Sequence, residues 1–178
     1  MTAQSRQALT WTAAGQRQTQ QLIQNIFLRE LLRPSQDLWL ASPWIGNVEI
    51  LDDRAEGFRD LTGSQSGRGI HLLDLLELLS RRGTRVTVIT RKTQENQEVL
   101  KGLQELQRKC PHLTYYQRDE IHLKGLLGDD YFLKGSMNWT YSGMNLNEEH
   151  LELVTASATV SETRIEFRET YPHGESSG

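Results

Sequence analysis

The stretch Ile121 to Thr140 reads IHLKGLLGDDYFLKGSMNWT and holds most of the chemistry-bearing residues of the chain in one short run. Its pattern is H-x-K-x4-D, a five-residue spacer, then G-S-x-N, filled by His122, Lys124, Asp129, Gly135, Ser136 and Asn138. An ammonium, a hydroxyl, a carboxamide and bare backbone N–H groups at a glycine together suit a phosphate oxyanion. A histidine beside them titrates near neutral pH and can serve as nucleophile or as acid and base.

The alternation from Glu120 to Leu127 predicts a strand, with His122 and Lys124 on one face. Gly128-Asp129-Asp130 predicts a turn, and Tyr131 to Lys134 a returning strand that delivers Gly135 and Ser136 to the site. Asp129 as a turn residue could equally cap its own backbone.

This pattern resembles the HKD signature of the phospholipase D superfamily, with a spacer one residue shorter than usual, which suggests a tighter turn. The resemblance implies a phosphodiesterase in which one histidine attacks phosphorus and a second protonates the leaving oxygen. His122 is then nucleophile or general acid. Lys124 and Asn138 bind the non-bridging oxygens, Ser136 adds a hydrogen bond, and Asp129 and Gly135 support the site. The resemblance also implies a glutamate soon after G-S-x-N to orient the imidazole. Of Glu148 and Glu149, the latter fits the spacing better; a solvated loop carboxylate is the alternative.

His71, His112, His150 and His173 have no lysine two residues on, so the motif occurs once. One copy implies a homodimer whose two-fold axis brings two His122 side chains together. Small single-motif members are more often nucleases than lipases. The resemblance therefore favours nucleic acid as substrate, read with low sequence specificity through its backbone. Trp139 and Tyr141 directly follow the motif and are candidates to stack bases, as are Trp44, Tyr115 and Tyr116, with core packing the alternative for each. Two other readings stay open: a lipid or other small phosphodiester hydrolase, and a non-catalytic nucleic-acid-binding or assembly subunit. A looser resemblance, to stand-alone phospholipase D-like proteins of bacterial DNA-modification and phage-defence clusters, implies partners from such clusters. No cofactor or metal is expected, since Lys and His supply charge and proton transfer.

The rest of the chain must position these groups. Its 178 residues predict one domain over 20–171, with a polar segment 1–19 whose Leu9 and Trp11 could dock on the core, and a flexible tail 172–178. Net charge −3 announces no strongly basic binder, though a local basic patch is compatible with it. One cysteine, Cys110, excludes an internal disulfide framework, and the absence of a long apolar run or secretory signal predicts a cytoplasmic protein without membrane insertion.

Helices are predicted over Gln20–Arg33, Ile70–Arg82 and Thr93–Lys109, and a last one to about Tyr171 opened by a Thr159/Glu162 capping box. Strands are predicted within Leu38–Ile45 and over Arg85–Thr90, Leu113–Gln117 and His150–Thr155. Gly63 to Gly69 reads as a loop over the site with Arg68 a candidate phosphate contact, and Arg91-Lys92 at a strand end could reach a ligand or face solvent. The order of elements gives an α/β sandwich, a mixed central sheet with helices on both faces, which is also what the resemblance implies.

Overall fold

The computed structural model describes residues 5–9, 12–63 and 66–174. The expected mixed sheet is present and has seven strands. In chain order these are β1 (Ser5–Leu9), β2 (Asp37–Ala41), β5 (Arg85–Thr90), β6 (Leu113–Gln117), β7 (Gly125–Leu127), β8 (Phe132–Gly135) and β9 (His150–Val154). A separate hairpin is formed by β3 (Glu49–Asp52) and β4 (Gly69–His71). The helices are α1 (Ala13–Leu32), α2 (Arg59–Thr62), α3 (Leu72–Arg81), α4 (Gln97–Lys109), α5 (Tyr141–Asn145) and α6 (Ser157–Thr170).

The large sheet runs β1-β9-β8-β7-β2-β5-β6. β2, β5 and β6 are parallel, while β7, β8, β9 and β1 join in antiparallel pairs. The parallel half reads as apolar runs because both its faces are covered. Leu38 and Leu40 enter one core with Ile23 and Phe27 of α1, Leu75 and Leu79 of α3 and Leu103 of α4. Trp39 and Ala41 enter the other, with Phe132 and with Val160 and Phe167 of α6. One-residue alternation along β2 thus divides the core into two layers.

Several elements depart from the sequence reading. α1 begins at Ala13, seven residues before the apolar periodicity, because Thr12 Oγ1 caps Gly15 N at 3.0 Å. The polar segment Ser5–Leu9 is an edge strand held by β9, and Trp11 lies outside the described residues. The capping box expected at Thr159/Glu162 does not form: α6 starts earlier, with Ala156 as N-cap, and Thr163 Oγ1 donates to the Thr159 carbonyl at 2.8 Å. A capping box stands at α3 instead, between His71 and Asp74. In the C-terminal stretch, the Pro172 carbonyl accepts from Tyr116 Oη and Gly174 N donates to Thr114 Oγ1, so 172–174 lie against β6.

Candidate active site

The β7–β8 hairpin is fastened at its turn. Asp129 accepts from Gln36 N at 2.8 Å and pairs with Arg164 at 2.5 Å. These partners lie at the start of β2 and on α6. Since β7 runs antiparallel to β2, Asp129 sits at the opposite end of the strand from His122. Its contacts fasten the turn, which is tight, with Gly128 N donating to Tyr131 O at 3.0 Å.

The expected strand from Glu120 to Leu127 is shorter: β7 covers Gly125–Leu127 alone, and residues 121–124 are irregular. The reason lies in the neighbour. β2 ends at Ala41, opposite Gly125, and leaves no strand for the preceding residues to pair with. Same-face alternation therefore does not align His122 with Lys124. Instead Lys124 Nζ donates to the His122 carbonyl at 3.3 Å, and Arg91 Nη2 holds the Ile121 carbonyl at 3.0 Å.

His122 is exposed, and with Lys124 it lines an open pocket of 340 Å³ that also holds Leu123, Lys134, Gly135, His150 and Glu152. Lys134 fills the last variable position of the spacer, and His150 and Glu152, outside the motif, join the site only through the fold. Lys134 and Glu152 are cross-strand partners, their side chains 3.5 Å apart, and His150 lies two residues before Glu152 on the same face. The period-two pattern of HLELV carries that information.

Glycine is required at position 135 because a Cβ there would stand 1.9 Å from the His150 carbonyl oxygen. This close approach brings Ser136 against the start of β9. Ser136 N donates to His150 O and Ser136 Oγ accepts from His150 N, both at 3.0 Å. Ser136 Oγ in turn donates to Glu149 Oε2 at 2.5 Å. Glu149 is 7% exposed, so it is no solvated loop carboxylate, and Asn147 Nδ2 donates to its other oxygen at 3.3 Å. The acceptor that the resemblance assigns to the His122 ring is thus engaged by Ser136 and Asn147.

Asn138 is fixed from β2. Ser42 Oγ, at the strand's C-terminal end, is 3.3 Å from Asn138 Oδ1 and 2.8 Å from the Trp44 carbonyl. Ile45 bridges to Trp139, and Gly46 N donates to the Trp139 carbonyl at 2.7 Å. Beneath this loop lies Asn96, fully buried. Its Oδ1 accepts from Ile45 N at 3.0 Å, and its Nδ2 reaches the Pro43 and Arg91 carbonyls at 2.8 Å and Thr90 Oγ1 at 2.9 Å. Asn96 is the N-cap of α4, yet its side chain makes no cap bond. Sequence reasoning missed Ser42 and Asn96 because each works through partners distant in the chain.

Of the three substrate-contact candidates, the structure revises two and leaves the third at the surface. Trp139 is 1% exposed, with its ring edge-on to Phe27 at 6.1 Å; it is core and cannot stack a base from there. Arg68 pairs with Asp74 at 2.8 Å and donates to the Gly69 carbonyl, so Asp74 engages its charge at the start of α3. Residues 64 and 65 of the loop expected over the site lie outside the described residues. Tyr141 is 65% exposed at the start of α5, on a cavity that also has Glu49 and Asp52 in its wall. Among the described residues no group of three or more His, Cys, Asp or Glu could hold a metal ion, and no helix is long and apolar enough to cross a membrane.

Solved structures of the same architecture include NucT from Helicobacter pylori, 13% identical, with 94% of this chain and 95% of that one aligned at a TM-score of 0.64. Nuc from Salmonella typhimurium, described as a phospholipase D family member, is 10% identical over 98% of this chain and 97% of its own, with a TM-score of 0.57. Phosphatidylserine synthase from Haemophilus influenzae Rd KW20 is 15% identical, covering 94% of this chain and 38% of that one at a TM-score of 0.61. At these identities the likeness speaks for the fold. No curated protein matches the chain. The family model described as "Cardiolipin synthase, PLD-like domain" matches residues 66–171, from the loop before β4 through the motif to the end of α6. That is more than half of the sequence, and the chain belongs to the phospholipase D-like domain family.

Proposed function

We propose that the protein is a metal-independent phosphodiesterase acting through a phosphohistidine, with DNA or RNA as substrate and little sequence preference. The observation that carries this reading is the open pocket at the sheet's end, which exposed His122 and half-buried Lys124 line together with Gly135 and His150, the chain neighbours of the hydrogen-bonded Ser136 and Glu149.

In the proposed reaction an imidazole nitrogen of His122 attacks phosphorus. The bond to the leaving oxygen breaks, and that oxygen takes a proton from the partner subunit's His122. A water then attacks the phosphohistidine, giving its proton back to that second imidazole as the P–N bond breaks. Lys124 and the Asn138 carboxamide stabilise the charge on the non-bridging oxygens. Ser136 and Glu149 hold the start of β9 against the site, and Glu149 orients the nucleophile once substrate is bound. The active form is a C2 homodimer with one shared site, because one motif per chain supplies one histidine of this kind.

The test is cleavage of labelled single- and double-stranded DNA and of RNA in EDTA, by wild type and His122→Ala. Cleavage by wild type alone, unaffected by EDTA, is expected. Cleavage by His122→Ala at the wild-type rate, or full activity from a species that light scattering finds monomeric, refutes the mechanism or the shared site respectively. Turnover of a phospholipid with none of nucleic acid refutes the substrate class.

A further inference from the structure

The pocket with His122 is one end of a longer row. β2, β5 and β6 run parallel and end at Ala41, Thr90 and Gln117, and β7 starts beside the first of these at Gly125. The residues at that edge are, in lateral order, His122 and Lys124 before β7, Trp44 after β2, Arg91 and Lys92 after β5, and Gln117 at the end of β6. Neighbouring strands are about 4.8 Å apart, so the row is about 14 Å wide.

Trp44 is a large apolar side chain left 37% exposed, and the Arg91 guanidinium lies over its ring at 5.2 Å. Arg91 is also the residue that holds the Ile121 carbonyl, next to His122. Its Nε is buried without a hydrogen-bond partner. The next residue, Lys92, opens a second groove of 490 Å³ between α4 and the edge strand β6. Lys101, Gln97, Gln104, Gln117 and the half-buried Tyr115 line it, and no carboxylate does. Neither Lys92 nor Lys101 forms an ion pair among the described residues. In a chain of net charge −3, an acid-free groove with two unpaired lysines, carboxamides and an aromatic ring is a local anion site with hydrogen-bonding walls.

The geometry points to a path for single-stranded nucleic acid: a strand over His122 and Lys124 continues past the Trp44–Arg91 pair into the α4–β6 groove. This deepens the function proposed above and rests on it for the direction of the strand. Lys92 and Lys101 take phosphates, Trp44 and Tyr115 offer ring faces to bases, and the glutamines meet base edges without a fixed code. Rings partly open to solvent favour an unpaired strand, because duplex bases have no face to give. Two lysines without an acidic partner favour an anionic strand over a neutral acyl chain.

The experiment measures anisotropy of a labelled single-stranded oligonucleotide in the His122→Ala background, so that binding is read without turnover. Lys92→Glu/Lys101→Glu should weaken binding about tenfold or more, and lower the salt slope by about 1.4, at ~0.7 for each phosphate that is no longer neutralised. Trp44→Ala should weaken it about fivefold with the salt slope kept, because stacking carries no counterion release. Equal binding by the lysine variant overturns the path. So does an inorganic polyphosphate that competes as well against wild type as against Trp44→Ala, or transfer of the lysine effect to anionic lipid vesicles. Cleavage of labelled DNA and RNA in EDTA by the wild type is measured separately. Its absence would sink the proposed reaction and leave the binding result standing.

Discussion

Replacing Asn96 tests whether one buried carboxamide sets the loops around the site. The side chain fills a gap between the ends of β2 and β5 and satisfies Ile45 N, two carbonyls and a hydroxyl. In Asn96→Ala the Ile45 N–H, on a residue 2% exposed, loses its acceptor. An orphaned buried donor costs about 1–3 kcal/mol, and each net bond removed adds roughly 0.5–1.5 kcal/mol. With two hydrogens on Nδ2, and so two net bonds lost, the sum is about 2–6 kcal/mol, a large share of the ~5–15 kcal/mol typical of a domain. At ~2–4 °C per kcal/mol for this chain length, the midpoint should fall by roughly 4–24 °C. Asn96→Asp is the discriminating variant. It keeps shape and acceptor but turns a carboxylate oxygen toward the Pro43 and Arg91 carbonyls, so it should be less stable than the alanine variant at neutral pH. Those carbonyls and the burial raise its folded pKa above the ordinary ~3.9, so its penalty should shrink as pH falls toward that value. Urea melts of both variants across pH, with cleavage or oligonucleotide binding in parallel, would measure this. A flat pH profile for Asn96→Asp, or stability equal to wild type at neutral pH, refutes the reasoning.

Gly135→Ala forces a Cβ to within 1.9 Å of the His150 carbonyl, so β8 and β9 must separate at the site; a loss of at least ~2 kcal/mol is expected in denaturant melts, together with loss of activity. Trp139→Ala empties a core position rather than a base platform, and should cost about 3–5 kcal/mol of stability; an unchanged melt with weakened oligonucleotide binding would contradict its placement. For Asp37, burial raises the carboxyl's pKa, but hydrogen bonds from Arg85 and Arg168 outweigh this and leave it below its ordinary value. Its contribution is therefore full above the unfolded pKa of ~3.9 and is lost as pH falls through the folded one, so wild type should lose stability more steeply than Asp37→Asn below about pH 4. Parallel acid profiles for the two would count against that account.

What was legible in the sequence was what local pattern determines. Arg85–Thr90 and Leu113–Gln117 are strands with the limits that their apolar runs mark, and the leucines of α3 fill the core as their spacing implies. What was not legible depends on a partner far away in sequence. Ser5–Leu9 alternates nothing apolar and becomes a strand because β9 offers an edge. The segment before Gly125 alternates well and does not become one, because β2 has already ended. Pairing outweighs pattern in both directions.

The same division runs through the site. Residue types and spacing marked His122, Lys124, Ser136 and Asn138, yet each is placed by something the motif does not contain. Ser136 is held by the start of β9, Asn138 by Ser42, and the loop before β7 by Arg91. Fixation is uneven. Ser136 and Glu149 share a 2.5 Å hydrogen bond and Asn138 is tied to a buried strand end, whereas His122 is exposed and Lys124 is bonded to a main-chain oxygen. The half with Ser136 and Asn138 is thus built by the fold of one chain, and the segment of His122, the proposed nucleophile, is the less constrained half. A phosphate between Lys124 and Asn138 would take the lysine from the His122 carbonyl and draw that segment toward the rigid half. In the proposed dimer, substrate and the second subunit would complete the placement of the imidazole, so binding and assembly would govern the chemical step together.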